Sequence, residues 1–169
     1  GAIAEAQELA AQAFGAAASF FLVGGTTAGL HALVLAACRP GDTIAVPRHA
    51  HRSVTGALIL SGAKPAWIRT RFHPELDLVE GIHEASLVEA LQTSSALVLV
   101  HPTYFGHVDR LATAVQQAHA SGIPVLVDEA HGTHAGEDDD GTPRRGDLRF
   151  LSQPPRLVSH RQAESGEDA

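Results

Sequence analysis

The chain has 169 residues, of which 44% are hydrophobic and 18% charged, with a formal net charge of -7. That suits one domain with a sizeable core and argues against the basic stripe of a nucleic-acid surface; no apolar run is long enough to span a bilayer, and nothing in the pattern suggests secretion. The single cysteine, Cys38, excludes an internal disulfide and fits a reducing compartment, so a cytoplasmic location is expected.

The sequence contains no methionine, so Gly1 is not expected to be a natural start and the chain reads as a fragment. Lys64 is its only lysine.

Residues 2–17 are rich in Ala, Glu, Gln and Leu and predict a helix. Residues 19–23 form a short apolar and aromatic run that predicts a buried strand. Gly24-Gly25-Thr26-Thr27 breaks the run, and Thr26 or Thr27 is expected to cap a helix reaching Cys38. Arg39-Pro40-Gly41-Asp42 stops it. A strand over 43–46, ended by Pro47, leads to a helix over 51–61. Beyond the turn at 62–65 come a strand over 66–69, a helix over 84–92 and a strand over 96–100. A helix over 109–120 and a strand over 124–127 follow. Such alternation predicts a parallel sheet covered on both faces, a three-layer α/β/α domain over residues 1–136. Residues 137–169 lose the periodicity and predict an irregular or disordered tail.

In a parallel α/β sheet, ligands bind at the carboxyl ends of the strands. Four predicted strands end in polar or glycine-rich segments: at Gly24-Gly25-Thr26-Thr27, at Arg48-His49-Ala50-His51, at His101-Pro102-Thr103-Tyr104, and at Asp128-Glu129-Ala130-His131. The glycine–threonine turn before a helix suits a phosphate, although an ordinary capped turn has the same composition. Asp128 closes an apolar strand, where a carboxylate needs a partner; a cationic ring nitrogen or a structural cap would each serve. Isolated, His51 reads equally well as a surface histidine.

Val127-Asp128-Glu129-Ala130-His131 also spells a helicase box, but no matching phosphate loop lies upstream, so that reading is rejected. Zinc is disfavoured too, because no Cys or carboxylate pattern completes a tetrahedral set around pairs such as His49/His51 and His131/His134.

Taken in order, several stretches resemble the major domain of the ornithine/lysine/arginine decarboxylases, pyridoxal-phosphate enzymes of fold type I with an aspartate-aminotransferase-like domain. The stretches are Gly25-Thr26-Thr27-Ala28-Gly29, Cys38-Arg39-Pro40-Gly41-Asp42, Arg48-His49-Ala50-His51-Arg52-Ser53-Val54, Pro102-Thr103-Tyr104-Phe105-Gly106 and Val127-Asp128-Glu129-Ala130-His131-Gly132, within residues 1–136. The resemblance implies that Gly25, Thr26 and Thr27 hold the cofactor phosphate and that His51 stacks on the pyridine ring. It implies that Asp128 pairs with the protonated ring nitrogen and that His131 lines the pocket, with Thr103 and Tyr104 as further wall candidates. The implied chemistry is loss of an α-carboxylate from a small basic amino acid, with the cofactor ring as electron sink. A homo-oligomeric parent enzyme is implied as well.

One departure is decisive. The family bonds the cofactor to a lysine in a Gln-Ser-x-His-Lys-Thr type motif beyond the aspartate, and this chain has no lysine after Asp128. Lys64, expected at the opposite sheet edge, does not substitute. A shifted reading frame over residues 148–161 permits Ser-Gln-Ser-Thr and then Lys-Thr, so a frame slip near residues 138–143 is expected, the rival being a genuine divergent tail. The fragment is then inactive as it stands; the alternative is a non-catalytic domain binding a phosphate ligand or a partner.

Overall fold

The computed structural model describes residues 1–131 and the backbone of Phe150–Leu151. The expectations placed on residues 137–169 otherwise lie outside the described residues.

Helix α1 (Ala2–Phe14) ends where Gly15 turns left-handed at φ 63°, handing its N–H to the Gln12 carbonyl. Only Ala11 of this helix is buried. Helix α2 (Gly25–Ala37) starts one residue after Gly24, with no side-chain cap. Thr26 and Thr27 therefore lie inside its first turn, and the expected threonine cap is corrected.

Residues 19–23 are not a strand. Phe20 is 73% exposed and Val23 fully so, and the segment runs as coil into a turn closed by the Gly25 N–H on the Leu22 carbonyl. An apolar run becomes a strand only where a neighbour offers ladder partners. Among the described residues nothing pairs with it.

Beyond this segment, strands β1 (Thr43–Pro47), β2 (Lys64–Ile68), β5 (Ala96–Val100) and β6 (Val125–Asp128) form a parallel sheet in the order β2-β1-β5-β6. Helices α3 (Arg52–Ser61), α4 (Glu84–Leu91) and α5 (Leu111–Ala120) provide crossovers. Pro65 is tolerated in β2 because that strand is an edge. A two-residue strand, β7 (Phe150–Leu151), pairs antiparallel with β6.

Side-chain alternation sorts the strand residues into two cores. Ile44, Val46, Val98 and Leu126 face Leu30 and Val34 of α2 and Val54 and Ala57 of α3. Ala45, Leu97, Leu99, Val125 and Val127 face Leu87 and Leu91 of α4 and Ala114 and Ala118 of α5. Two covered faces explain why these strands read as unbroken apolar runs. Helices α2 and α3 also meet through His31, whose Nε2–H donates to the Ser53 carbonyl at 3.1 Å. Gly56 makes room, since a Cβ there would sit 2.9 Å from His31 Nε2.

A hairpin of β3 (Thr70–Phe72) and β4 (Val79–Ile82) lies outside the main sheet and was not expected from the sequence. Its strands are short and carry Arg71 and Glu80 without clean alternation, so periodicity gave no signal. Among the described residues no helix is long and apolar enough to cross a membrane.

Candidate active site

Topology brings the expected residues to one edge. Each helix of a parallel α/β unit runs back against its strands, so α2, α3, α4 and α5 all present their N-termini at the carboxyl edge of the sheet. Four partial positive charges converge there. On the α2 turn Gly25, Thr26 and Thr27 are exposed. Its first N–H groups have no intrahelical partner by geometry, and no side chain caps them. This arrangement fits a phosphate.

His51 is the N-cap of α3 rather than its first helical residue. Its Nδ1 accepts from the Ser53 N–H at 3.2 Å and lies 2.8 Å from Ser53 Oγ. An acceptor Nδ1 carries no proton, so the neutral ring bears its hydrogen on Nε2. The cap thereby fixes both ring orientation and tautomer while the residue stays exposed.

Asp128 ends β6 beside Val100 of β5. It is 6% exposed, and its Oδ1 accepts from the Ala130 N–H at 3.2 Å. Among the described residues this is its one side-chain hydrogen bond, which leaves most of a carboxylate's acceptor capacity unspent. His131 is exposed, and its ring stands edge-on to Tyr104 with centroids 5.5 Å apart. That contact ties the loop after β5 to the loop after β6.

Thr103 does not serve as a free wall residue. It is 1% exposed, and its hydroxyl donates to the Val79 carbonyl and accepts from the His107 N–H. Lys64, in contrast, starts β2 opposite Thr43 at the amino edge of the sheet, where it was expected.

The sequence reading missed a second polar cluster at the carboxyl edge. Asp109 accepts from the Ile82 N–H at 2.9 Å, from the Arg110 N–H at 2.9 Å and from Arg71 Nη2 at 3.3 Å. Arg71 also reaches Glu80 at 3.2 Å. Burial pushes the His49 and His101 imidazoles below their ordinary value, and the Asp109 charge partly offsets this. A cavity of about 700 Å³ opens beside Arg71, Glu80, His83, His107, Asp109 and Arg110, and contains none of the residues expected at the site. His49 and His101 follow strand ends, which was the available signal. Among the described residues no group of three or more His, Cys, Asp or Glu could hold a metal ion.

Residues 1–137 match the family model described as Orn/Lys/Arg decarboxylase, major domain. The chain belongs to this decarboxylase family. It is 47% identical over 137 residues to an arginine decarboxylase of Bacillus cereus, a match covering 79% of this chain and 30% of the relative. An arginine decarboxylase of Bacillus subtilis is 44% identical over 137 residues, again 79% of this chain and 28% of the relative. The chain thus spans less than a third of the length of these decarboxylases. Among solved structures, the Escherichia coli constitutive lysine decarboxylase superposes with a TM-score of 0.64 at 23% identity, over 75% of this chain and 19% of that one. At that identity the likeness shows the fold alone: a partial aspartate-aminotransferase-like domain of the decarboxylase family, with helices on both faces of a mainly parallel sheet.

Proposed function

We propose that this chain supplies part of the pyridoxal-5'-phosphate-binding domain of a decarboxylase acting on a basic amino acid, with arginine favoured by the names of its Bacillus relatives. One observation carries the reading: a buried carboxylate with unspent acceptor capacity ends β6 at the edge where α2 presents an uncapped N-terminus. The α2 turn that opens at Gly25 would hold the phosphate with the backbone N–H groups and hydroxyls of Thr26 and Thr27. Asp128 would pair with the pyridine nitrogen and favour its protonated form. His51 covers one ring face, its orientation set by the Ser53 bonds. His131, steered by Tyr104, lines the approach. When bound, pyridoxal phosphate supplies the sink for the electron pair released as the α-carboxylate leaves.

The same reading makes the 169-residue chain inactive as it stands. Its only lysine lies at the opposite edge, so the cofactor is held without a covalent bond. A frame slip near residues 138–143 accounts for the missing motif, and sequencing the coding DNA from codon 130 past codon 169 tests it. A single frame change restoring Gln-Ser and a lysine is expected; an intact frame overturns it. The complete enzyme is proposed to be a cytoplasmic homo-oligomer. The missing lysine also favours a second reading, a non-catalytic domain retaining only phosphate-ligand or partner binding.

Titration with pyridoxal 5'-phosphate, followed by absorbance, tests the site. A saturable spectral change is expected, at least ~10-fold weaker in Asp128→Ala, given the ~1.4 kcal/mol per tenfold of one lost charged contact. Borohydride is expected to leave no Asp128-dependent adduct. Absence of saturation, or equal binding by Asp128→Ala, contradicts the proposal.

A further inference from the structure

The Asp109 cluster has no part in the chemistry proposed above, yet its bonds fix a hairpin that touches both sides of that site. On one side, the carboxylate fixes the β3–β4 hairpin through the Ile82 N–H and through Arg71. Thr70, the first residue of that hairpin, places its Oγ1 3.4 Å from His49 Nδ1. The His49 turn, closed by the Ala50 N–H on the Pro47 carbonyl, leads straight into His51. On the other side, the Thr103 hydroxyl donates to the Val79 carbonyl of the hairpin at 3.4 Å, and two residues before it the His101 N–H donates to the Asp128 carbonyl at 3.0 Å. Asp109, His49 and His101 line one small cavity beneath the edge, together with Gly81.

Gly81 shows how closely this arrangement is built. Its φ of +154° disfavours a side chain, and any Cβ there would overlap the Asp109 carboxylate. Among the described residues Asp109, on the loop just before α5, both touches the hairpin and faces the two histidines.

We propose that Asp109 is a positioning residue for the cofactor edge, holding the His49–His51 turn and the His101–Asp128 strand ends in register through the hairpin. The proposal rests on the reading of that edge as a cofactor site for its meaning, but its physical content does not require cofactor. Among the described residues the charge acting on both imidazoles is Asp109; Arg71 on the hairpin pairs with it and also with Glu80, and Arg110 follows it in the chain. Removing the Asp109 charge and removing its Arg71 partner must therefore move His49 and His101 in opposite directions.

The test is a histidine titration of the cofactor-free 169-residue chain by NMR, comparing wild type, Asp109→Asn and Arg71→Gln. In Asp109→Asn the His49 and His101 midpoints are expected to fall further, because a nearby anion no longer favours the charged ring. In Arg71→Gln, where Asp109 loses a cation, the same midpoints are expected to rise. The Ser53 amide, which reports the His51 cap, is expected to shift in Asp109→Asn and to hold in wild type. A merely structural Asp109 would lower stability and leave the Ser53 amide of the folded variant unmoved. Unmoved midpoints in folded Asp109→Asn, shifts of one sign in both variants, or an unmoved Ser53 amide would overturn the proposal. Arg71 is 41% exposed, so its variant keeps the test decisive if Asp109→Asn does not fold. Because cofactor is absent throughout, failure here is separable from failure of the pyridoxal-phosphate reading.

Discussion

Two polar clusters share the carboxyl edge of one sheet and are built in opposite ways. In the Asp109 cluster, the carboxylate takes three hydrogen bonds and Arg71 serves two carboxylates. In the proposed cofactor cluster, Asp128 takes one hydrogen bond among the described residues, and Gly25, Thr26, Thr27, His51 and His131 are exposed. A group whose valences are met inside the chain stabilises the fold. One that keeps them open at a converging set of helix N-termini is arranged for something from outside.

The comparison breaks first if the shared sheet is weakened. Leu126 is fully buried in the α2/α3 core, so Leu126→Ala is expected to cost about 2–5 kcal/mol of unfolding free energy. Urea denaturation should show it, with both clusters lost together. Next comes the self-satisfied cluster alone. Gly81→Ala forces a side chain into the Asp109 carboxylate at a glycine backbone angle, and a loss of about 1–3 kcal/mol is expected by the same assay.

A smaller effect is pH-dependent. His49 and His101 titrate below their ordinary value of 6.5 in the folded chain because they are buried. Between that value and their folded ones the unfolded chain binds more protons. Their contribution to stability is therefore complete above about pH 6.5 and is lost as pH falls below it. Denaturation midpoints measured across that range should decline on the acid side. A flat profile would remove the two histidines from the cluster's account. Least affected is the open cluster: His51→Ala removes a cap and is expected to cost about 0.5–1 kcal/mol. A cost as large as that of Leu126→Ala would erase the contrast between the clusters.

Much of this architecture is legible along the chain, because Pro40, Gly41, Pro47, Gly62 and Gly122 punctuate the helices and strands. The carboxyl-edge residues were legible for the same reason: they follow strand ends. Residues 19–23 misled because hydrophobicity records a tendency to be buried, not the presence of a pairing neighbour. The Asp109 network was not legible because its bonds join residues 27 and 38 positions apart, and local pattern carries no trace of such contacts. Gly81 was the nearest clue, but its demand comes from a carboxylate 28 residues away in sequence.

The most direct test of the two-cluster account is a histidine-resolved NMR titration of the wild-type chain with pyridoxal 5'-phosphate. The account predicts saturable shifts at His51 and His131, with His83 and His107 beside the 700 Å³ cavity unmoved. Saturable shifts at His83 and His107 with none at His51 would contradict it and place the ligand in the cavity instead.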